Sequence, residues 1–154
     1  MKLEFKGTFT HTIDHKGRVS IPSSLRRMLP QKGRGALTMT QGLDGCLFLY
    51  PKVEWEGVKE KLRKLSFLKA NNRRFTRKFL AKCYDVEIDT QGRIKIPQDL
   101  VEVAGLEKEA LFLGLLDKIE VWNPHVYSKY ITEGEGTLED DAERVLFPGE
   151  VEKD

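Results

Sequence analysis

Two stretches of the chain distribute apolar and polar residues in the same way. Phe9, His11 and Ile13 share one face of a run over residues 7–13, and Val86 and Ile88 do so over 82–88. A period of two predicts half-buried strands. Each run ends in a short polar turn, His15-Lys16-Gly17 or Thr90-Gln91-Gly92, whose glycine permits positive φ. Return strands are predicted over Arg18–Ile21 and Arg93–Ile96. Pro22 and Pro97 then open short helices, with Leu25 and Leu29 inward in the first and Leu100, Val101 and Ala104 in the second. Gly33-Arg34-Gly35 and Gly105 are expected to close them. A second hairpin follows each time: Ala36–Met39 with Cys46–Tyr50, turning at Asp44-Gly45, and Ala110–Leu113 with Ile119–Trp122, turning at Asp117-Lys118.

The two halves are copies. FTHTIDHKGRVSIPSSLRR (9–27) and YDVEIDTQGRIKIPQDLVE (84–102) align at an offset of 75. Ile13, Asp14, Gly17, Arg18, Ile21, Pro22 and Leu25 recur as Ile88, Asp89, Gly92, Arg93, Ile96, Pro97 and Leu100. Further on, Ala36-Leu37 aligns with Ala110-Leu111, and Tyr50-Pro51 with Trp122-Asn123-Pro124. Such a β-β-α-β-β unit holds too little core to stand alone, whereas two copies can interleave strands and remove exposed edges. The expected fold class is therefore mainly β with short helices (α+β), a pseudo-twofold barrel. It forms one intertwined domain over 1–132, with repeat 1 at about 5–50 and repeat 2 at about 81–131.

Between the copies, residues 51–80 read as helix. Val53, Val58, Leu62 and Leu65 form one apolar stripe, Phe75, Phe79 and Leu80 another, and Asn71-Asn72 is expected to break or cap between the two helices. This insert carries ten Lys or Arg against three Glu, which fits a solvated face, a nucleic-acid surface or a subunit interface. A shorter helix is predicted over Pro124–Ile131. Residues 133–154 then form an acidic segment, expected as a flexible tail, with Val145-Leu146-Phe147-Pro148 as a docking element.

Charge sharpens the picture. The overall +2 separates into +9 over residues 1–132 and −7 over 133–154, so the body suits a polyanionic partner. No apolar run approaches a membrane span and MKLEFKGTFT is unlike a signal peptide, so a cytoplasmic location is expected. Cys46 and Cys83, in separate strands, read as small core residues and not as a disulfide or zinc pair. His11, His15 and His125 are scattered, and the chain has no HExxH, G-x-S-x-G or P-loop. Pseudosymmetry could pair Asp14 with Asp89 as catalytic carboxylates, but each has an arginine four residues on, which favours a plain ion pair. No enzyme activity, cofactor, metal or small-molecule substrate is expected.

The repeated motif is D-x-x-G-R. Asp accepts hydrogen bonds from N–H groups of the turn, Gly supplies the left-handed geometry, and Arg begins the return strand close to Asp. A guanidinium held this way suits a guanine edge or a phosphate. The bland alternative is an ion pair that only stabilises a hairpin, and its recurrence in both copies weighs against that. Charge and apical position add His15 and Lys16 to the candidates. A competing reading has the turns contact protein, in an interaction or antitoxin-like barrel module. RNA binding lacks an RRM or KH signature.

GTFTHTIDHKGRVSIPSSLR and the repeated DTQGRIKIP resemble the MraZ family over about residues 5–131, with the swapped-hairpin AbrB proteins as more distant relatives. The resemblance implies an AbrB/MraZ-like barrel and ring-shaped homo-oligomers in the nucleoid. It also implies a repressor that binds direct repeats in double-stranded DNA upstream of the division and cell-wall gene cluster. Its motif falls on Asp14 and Arg18, and on Asp89 and Arg93, as DNA-facing residues. The acidic segment is outside what the motif explains.

Overall fold

The computed structural model describes residues 3–29, 36–134 and 136–146. Its core is a six-stranded antiparallel sheet and a two-stranded ribbon, with helices packed outside. Repeat 1 supplies β1 (Thr8–Thr12), β2 (Arg18–Ser20), α1 (Ser23–Arg26), β3 (Ala36–Gln41) and β4 (Leu47–Pro51). Then come α2 (Lys52–Arg63) and α3 (Ala70–Ala81). Repeat 2 supplies β5 (Tyr84–Glu87), β6 (Arg93–Lys95), α4 (Gln98–Ala104), β7 (Glu109–Leu115) and β8 (Lys118–Trp122), followed by α5 (Pro124–Glu133) and α6 (Leu138–Leu146).

The repeats are interleaved. The sheet order is β1-β7-β8-β4-β3-β5, so the first strand of each repeat pairs with the third strand of the other. β2 and β6 pair with each other and lie beside the outer strands β1 and β5. The ribbon thereby closes the curled sheet into a barrel, satisfying edge groups that an open sheet would expose. Two self-symmetric pairings mark the pseudo-twofold axis. In the ribbon, Arg18, Val19 and Ser20 face Lys95, Ile94 and Arg93. On the opposite wall, Leu47, Phe48 and Leu49 face Val121, Glu120 and Ile119. The axis therefore crosses the barrel from Val19/Ile94 to Phe48/Glu120.

The strand alternation explains what is buried. Val19 and Ile94 turn inward from the ribbon to meet Leu47, Leu49, Ile119, Val121 and Phe112, while the ribbon residues flanking them face outward. Phe5 is fully buried among them, held by a bridge to Leu116. A second cluster covers the outer face of β4 and β8, where Phe48, Tyr50 and Trp122 pack under Trp55 of α2 and Phe79 of α3. Cys46 joins that cluster fully buried, and Cys83 packs against it; both are free thiols. The helices α2 and α3 thus sit on the wall opposite the ribbon.

Several expectations shift. His11 faces Ala110 and Val86 faces Leu37, so Leu37, not Ala36, is the counterpart of Ala110. The offset thus falls from 75 at Leu25/Leu100 to 73 at Leu37/Ala110, so two residues fewer separate the two hairpins of repeat 2, a slip that local similarity registers only in part. The β7–β8 turn centres one residue early, with Leu116 at φ 65° and Asp117 N donating to Leu115 O. The break between α2 and α3 falls at residues 64–69, not at Asn71-Asn72, which lie in the first turn of α3. There Asn72 Nδ2 donates back to Ser66 O. The packed stripe of α2 is Trp55, Val58 and Leu62, and Val53 is exposed. Gly105 caps α4 in the left-handed region, whereas Gly33-Arg34-Gly35 lies outside the described residues. The acidic segment contributes α6, and its Val145 and Leu146 are exposed; Phe147 and Pro148 lie outside the described residues. Among the described residues, no helix is long and apolar enough to cross a membrane.

Candidate nucleic-acid interface

The two D-x-x-G-R turns are near copies in three dimensions. Asp14 Oδ1 accepts from the backbone N–H groups of Lys16 and Arg18, both at 2.9 Å, and Oδ2 accepts from Arg18 Nε at 2.8 Å. Asp89 Oδ1 accepts from Gln91 N at 2.8 Å and Arg93 N at 3.0 Å, and Oδ2 from Arg93 Nε at 3.0 Å. Gly17 and Gly92 close the turns at φ 81° and 79°, each donating its N–H to the carbonyl of the motif aspartate. Short polar aspartate and left-handed glycine together make this loop, as the residue types require.

Each aspartate orients its arginine through Nε. Among the described residues, the two terminal nitrogens of Arg18 and Arg93 have no protein partner, so each tip presents a held guanidinium outward. Arg18 N–H donation to the carboxylate, reinforced by the Arg18 side chain and Lys16 N–H, lowers the Asp14 pKa to about 2. The same bonds from Arg93 and Gln91 lower that of Asp89. Both are charged carboxylates at neutral pH, suited to holding arginine and not to proton transfer.

Register brings in residues that the motif alone does not name. Residues two apart on a strand share a face, so Arg18, Ser20, Arg93 and Lys95 line the outer face of the β2–β6 ribbon. Gly17 lies opposite Ile96 and Gly92 opposite Ile21, since Ile96 N donates to Gly17 O and Ile21 N to Gly92 O. The turns therefore stand at opposite ends of the ribbon, four residues apart, or about 13 Å. His15 and Lys16 occupy the first apex, exposed to solvent, and Thr90 and Gln91 the second. The aspartates are thus held apart and each is committed to its own arginine. No group of His, Cys, Asp and Glu able to hold a metal occurs among the described residues.

The basic helical insert is organised differently. Lys59 pairs with Glu56 and Arg63 with Glu60. Arg73 caps the Phe67 and Leu68 carbonyls, and Arg77 stacks on Phe67 at 5.5 Å. Much of its charge is engaged locally, on the wall away from the tips.

A family model described as "MraZ protein, putative antitoxin-like" matches this chain twice, over residues 5–78 and 79–147. The chain belongs to the MraZ family. The two matches meet within the last turn of α3, a few residues ahead of β5 where the second structural repeat begins, and the second extends through α6. The MraZ relatives include "Transcriptional regulator MraZ" of Caldanaerobacter subterraneus subsp. tengcongensis, 42% identical over 139 residues, 90% of this chain and 94% of that one. The protein of the same name from Heliobacterium modesticaldum is 41% identical over 92% of this chain and 96% of its own length. That of Acetivibrio thermocellus is 41% identical over 94% and 99%. These MraZ proteins are named as regulators and not as enzymes.

Proposed function

We propose that the chain is a sequence-specific DNA-binding transcriptional regulator whose β2–β6 ribbon lies on double-stranded DNA. The observation that carries this reading is the pair of aspartate-held guanidiniums at the ends of a basic antiparallel ribbon. A two-stranded ribbon fits the major groove, about 12 Å wide, which carries a distinct donor and acceptor pattern for each base pair. Arg18 and Arg93 suit guanine O6 and N7, Lys95 adds charge on the same face, and His15 and Lys16 lie within reach of phosphates. Asp14 and Asp89 serve as positioning residues for the two arginines.

The finer reading is that of a repressor of the division and cell-wall gene cluster, acting on direct repeats in its own upstream DNA as a ring-shaped homo-oligomer in the nucleoid. Its support is the family and the distribution of surface. α3 exposes Phe75 and Leu80 among Arg73, Arg74, Arg77 and Lys78, whereas α6 exposes Leu138, Val145 and Leu146 among Glu139, Asp140, Asp141 and Glu143. A basic apolar face and an acidic apolar face on one chain suit a head-to-tail contact between copies, and such a contact closes into a ring when its rotation permits. A ring multiplies the tips and adds avidity for repeated sites.

The test is binding of wild type, Arg18→Ala and Arg93→Ala to a duplex carrying the chain's own upstream region, across a salt series. Wild type is expected to prefer that duplex over random DNA with a steep salt slope, and each variant to lose about tenfold or more. If wild type shows no preference, the regulator reading fails and the protein-interaction, antitoxin-like module takes its place.

A further inference from the structure

We propose that a cleft between the first repeat and the second tip is a phosphate-binding site. The cleft, about 320 Å³, has a polar lining made by His11, Ser20, Ser23, Ser24, Arg26 and Gln91. Five of these come from repeat 1, yet Gln91 is the apex of the Asp89–Arg93 turn, and Ser20 is the register partner of Arg93. Arg26 reaches across the repeats: its Nη1 donates to Ile21 O at 2.7 Å, and its guanidinium lies flat against Gly92. A Cβ at Gly92 would stand 2.5 Å from Arg26 Nη1 and 2.8 Å from Cζ, so any side chain there would push the cation from this spot.

The lining is chemically suited to an oxyanion. Among the described residues, the hydroxyls of Ser20, Ser23 and Ser24 have no protein hydrogen bond, so they can donate to phosphate oxygens. His11 Nδ1 donates to Ser20 O at 2.7 Å and thereby fixes the ring in the wall of the cleft. The guanidinium supplies the charge.

Pseudosymmetry provides an internal control. The counterparts of His11, Ser24 and Arg26 are Val86, Asp99 and Val101, and that of Phe9 is Tyr84, whose hydroxyl donates to Asp99. The equivalent place beside the first tip thus has a carboxylate instead of the Ser24 hydroxyl and no arginine, and it has lysines, Lys95 and Lys16, at the counterparts of Ser20 and Gln91, so its cations are set differently and its aspartate stands where a phosphate oxygen would need a donor. The first tip carries Lys16 at its apex, whereas the second has Thr90-Gln91 and takes its cation from Arg26 of the other repeat. Beside a DNA-reading tip, the phosphate is one of the duplex backbone; the proposal rests on the DNA reading for this source, and a free phosphate is the other source with the same chemistry.

The experiment compares full-length wild type, Arg26→Gln and Ser24→Asp. Ser24→Asp copies the carboxylate of the second repeat and places it in the first turn of α1, where a negative charge does not threaten folding. Salt-dependent binding to the upstream duplex is read in parallel with titration of inorganic phosphate by calorimetry. A DNA source is expected to appear as several-fold weaker binding in both variants and a salt slope smaller by about one. A free source appears as phosphate heat with wild type that both variants lose, with the DNA slope unchanged. Wild-type slopes in both variants together with no phosphate heat would overturn the proposal, even where Arg18→Ala abolishes DNA binding. Loss of all wild-type DNA preference would sink the regulator reading instead, leaving the phosphate titration to decide this site.

Discussion

Gly114→Ala is expected to undock the N-terminal segment that leads into the first tip. Gly114 lies in β7, and a Cβ there would stand 2.3 Å from Lys6 N and 2.6 Å from the Phe5 carbonyl carbon. Both are backbone atoms, so no side-chain rotation relieves the clash. The crossing is fixed by three bonds: Phe5 N to Leu116 O at 2.9 Å, Leu116 N to Phe5 O at 2.7 Å and Gly114 N to Gly7 O at 3.0 Å. Admitting the methyl requires the segment to lift, which withdraws the fully buried Phe5 from the core.

Burial of a phenylalanine side chain contributes about 1.5–3 kcal/mol. Each backbone bond adds about 1 kcal/mol net, partly recovered through water. The expected cost is about 3–5 kcal/mol, a large share of a typical 5–15 kcal/mol stability. Reduced freedom of the unfolded chain offsets only about 0.4–1 kcal/mol of it. Phe5→Ala alone, by leaving a cavity, is expected to cost a similar 3–5 kcal/mol. The decisive quantity is their coupling. If Gly114→Ala already expels Phe5, adding Phe5→Ala costs less than about 1 kcal/mol more, and the two are strongly non-additive. Urea unfolding followed by tryptophan fluorescence measures all four corners of the cycle. Additive costs, or a Gly114→Ala penalty below about 1 kcal/mol, would refute the account of Gly114 as a backbone crossing.

Acid should loosen the tips in a defined window. The Asp14 pKa is lowered from 3.8 to about 2, so its stabilising contribution is complete above pH 4 and disappears as pH falls toward 2. The stability gap between wild type and Asp14→Asn, read from urea midpoints, should therefore be flat near neutrality and shrink over that range; a gap that grows on acidification contradicts the assignment. Burial pushes the Cys46 thiol up to about 12 and raises Cys83 as well. Alkylation at pH 8 followed by mass spectrometry should label the native protein slowly, with Cys46 slower than Cys83, and both quickly in denaturant; the reverse order would count against the packing of Cys46. Trp55→Ala should cost about 3–5 kcal/mol by emptying the second cluster. Because that cluster lies on the wall opposite the ribbon, DNA affinity of the folded variant should stay within about twofold of wild type, and a loss comparable to that of Arg18→Ala would place the interface on the wrong wall.

The parts of the fold that depend on neighbours in sequence were legible. Aspartate, a left-handed glycine and an arginine within five residues define a loop whose bonds follow from residue type, and both tips formed as expected. The duplication was equally plain, since identities at one spacing need no structure to be seen. What escaped notice depends on partners far apart in the chain. Nothing in the local pattern says that Arg18 faces Lys95, because strand alternation names a face and not a partner. Arg26 looks like an ordinary basic residue ending a short helix until the closed barrel lays it on Gly92, some sixty-six positions on. The junction of α2 and α3 was legible only in part, for a different reason. Asn71-Asn72 suits a break or a cap on composition; the break falls earlier, at residues 64–69, and Asn72 bonds Ser66 O at the start of α3. In the acidic segment, the apolar spacing of Leu138, Ala142 and Val145 was masked by carboxylates that together read as a solvated tail.

The duplication also carries a consequence for polarity. A ribbon formed by two identical chains presents two identical tips and fits a palindrome, because operator symmetry mirrors protein symmetry. Here the core has kept its twofold character, with Val19 on Ile94 and Leu47 on Val121 across the axis. The surface has not. One apex carries His15 and Lys16, and the other carries Thr90 and Gln91 with Arg26 beside them. One helical face is basic and the other acidic. Fusing the halves into one chain lets each side vary without altering its partner, which a homodimer forbids. On the proposed reading, the ribbon then has a direction along the DNA, and the complementary helical faces give successive copies the same direction. Sites read by such an array must repeat head to tail and not as mirror halves. On that proposed reading, the asymmetry of two turns that look alike is what makes direct repeats the fitting target.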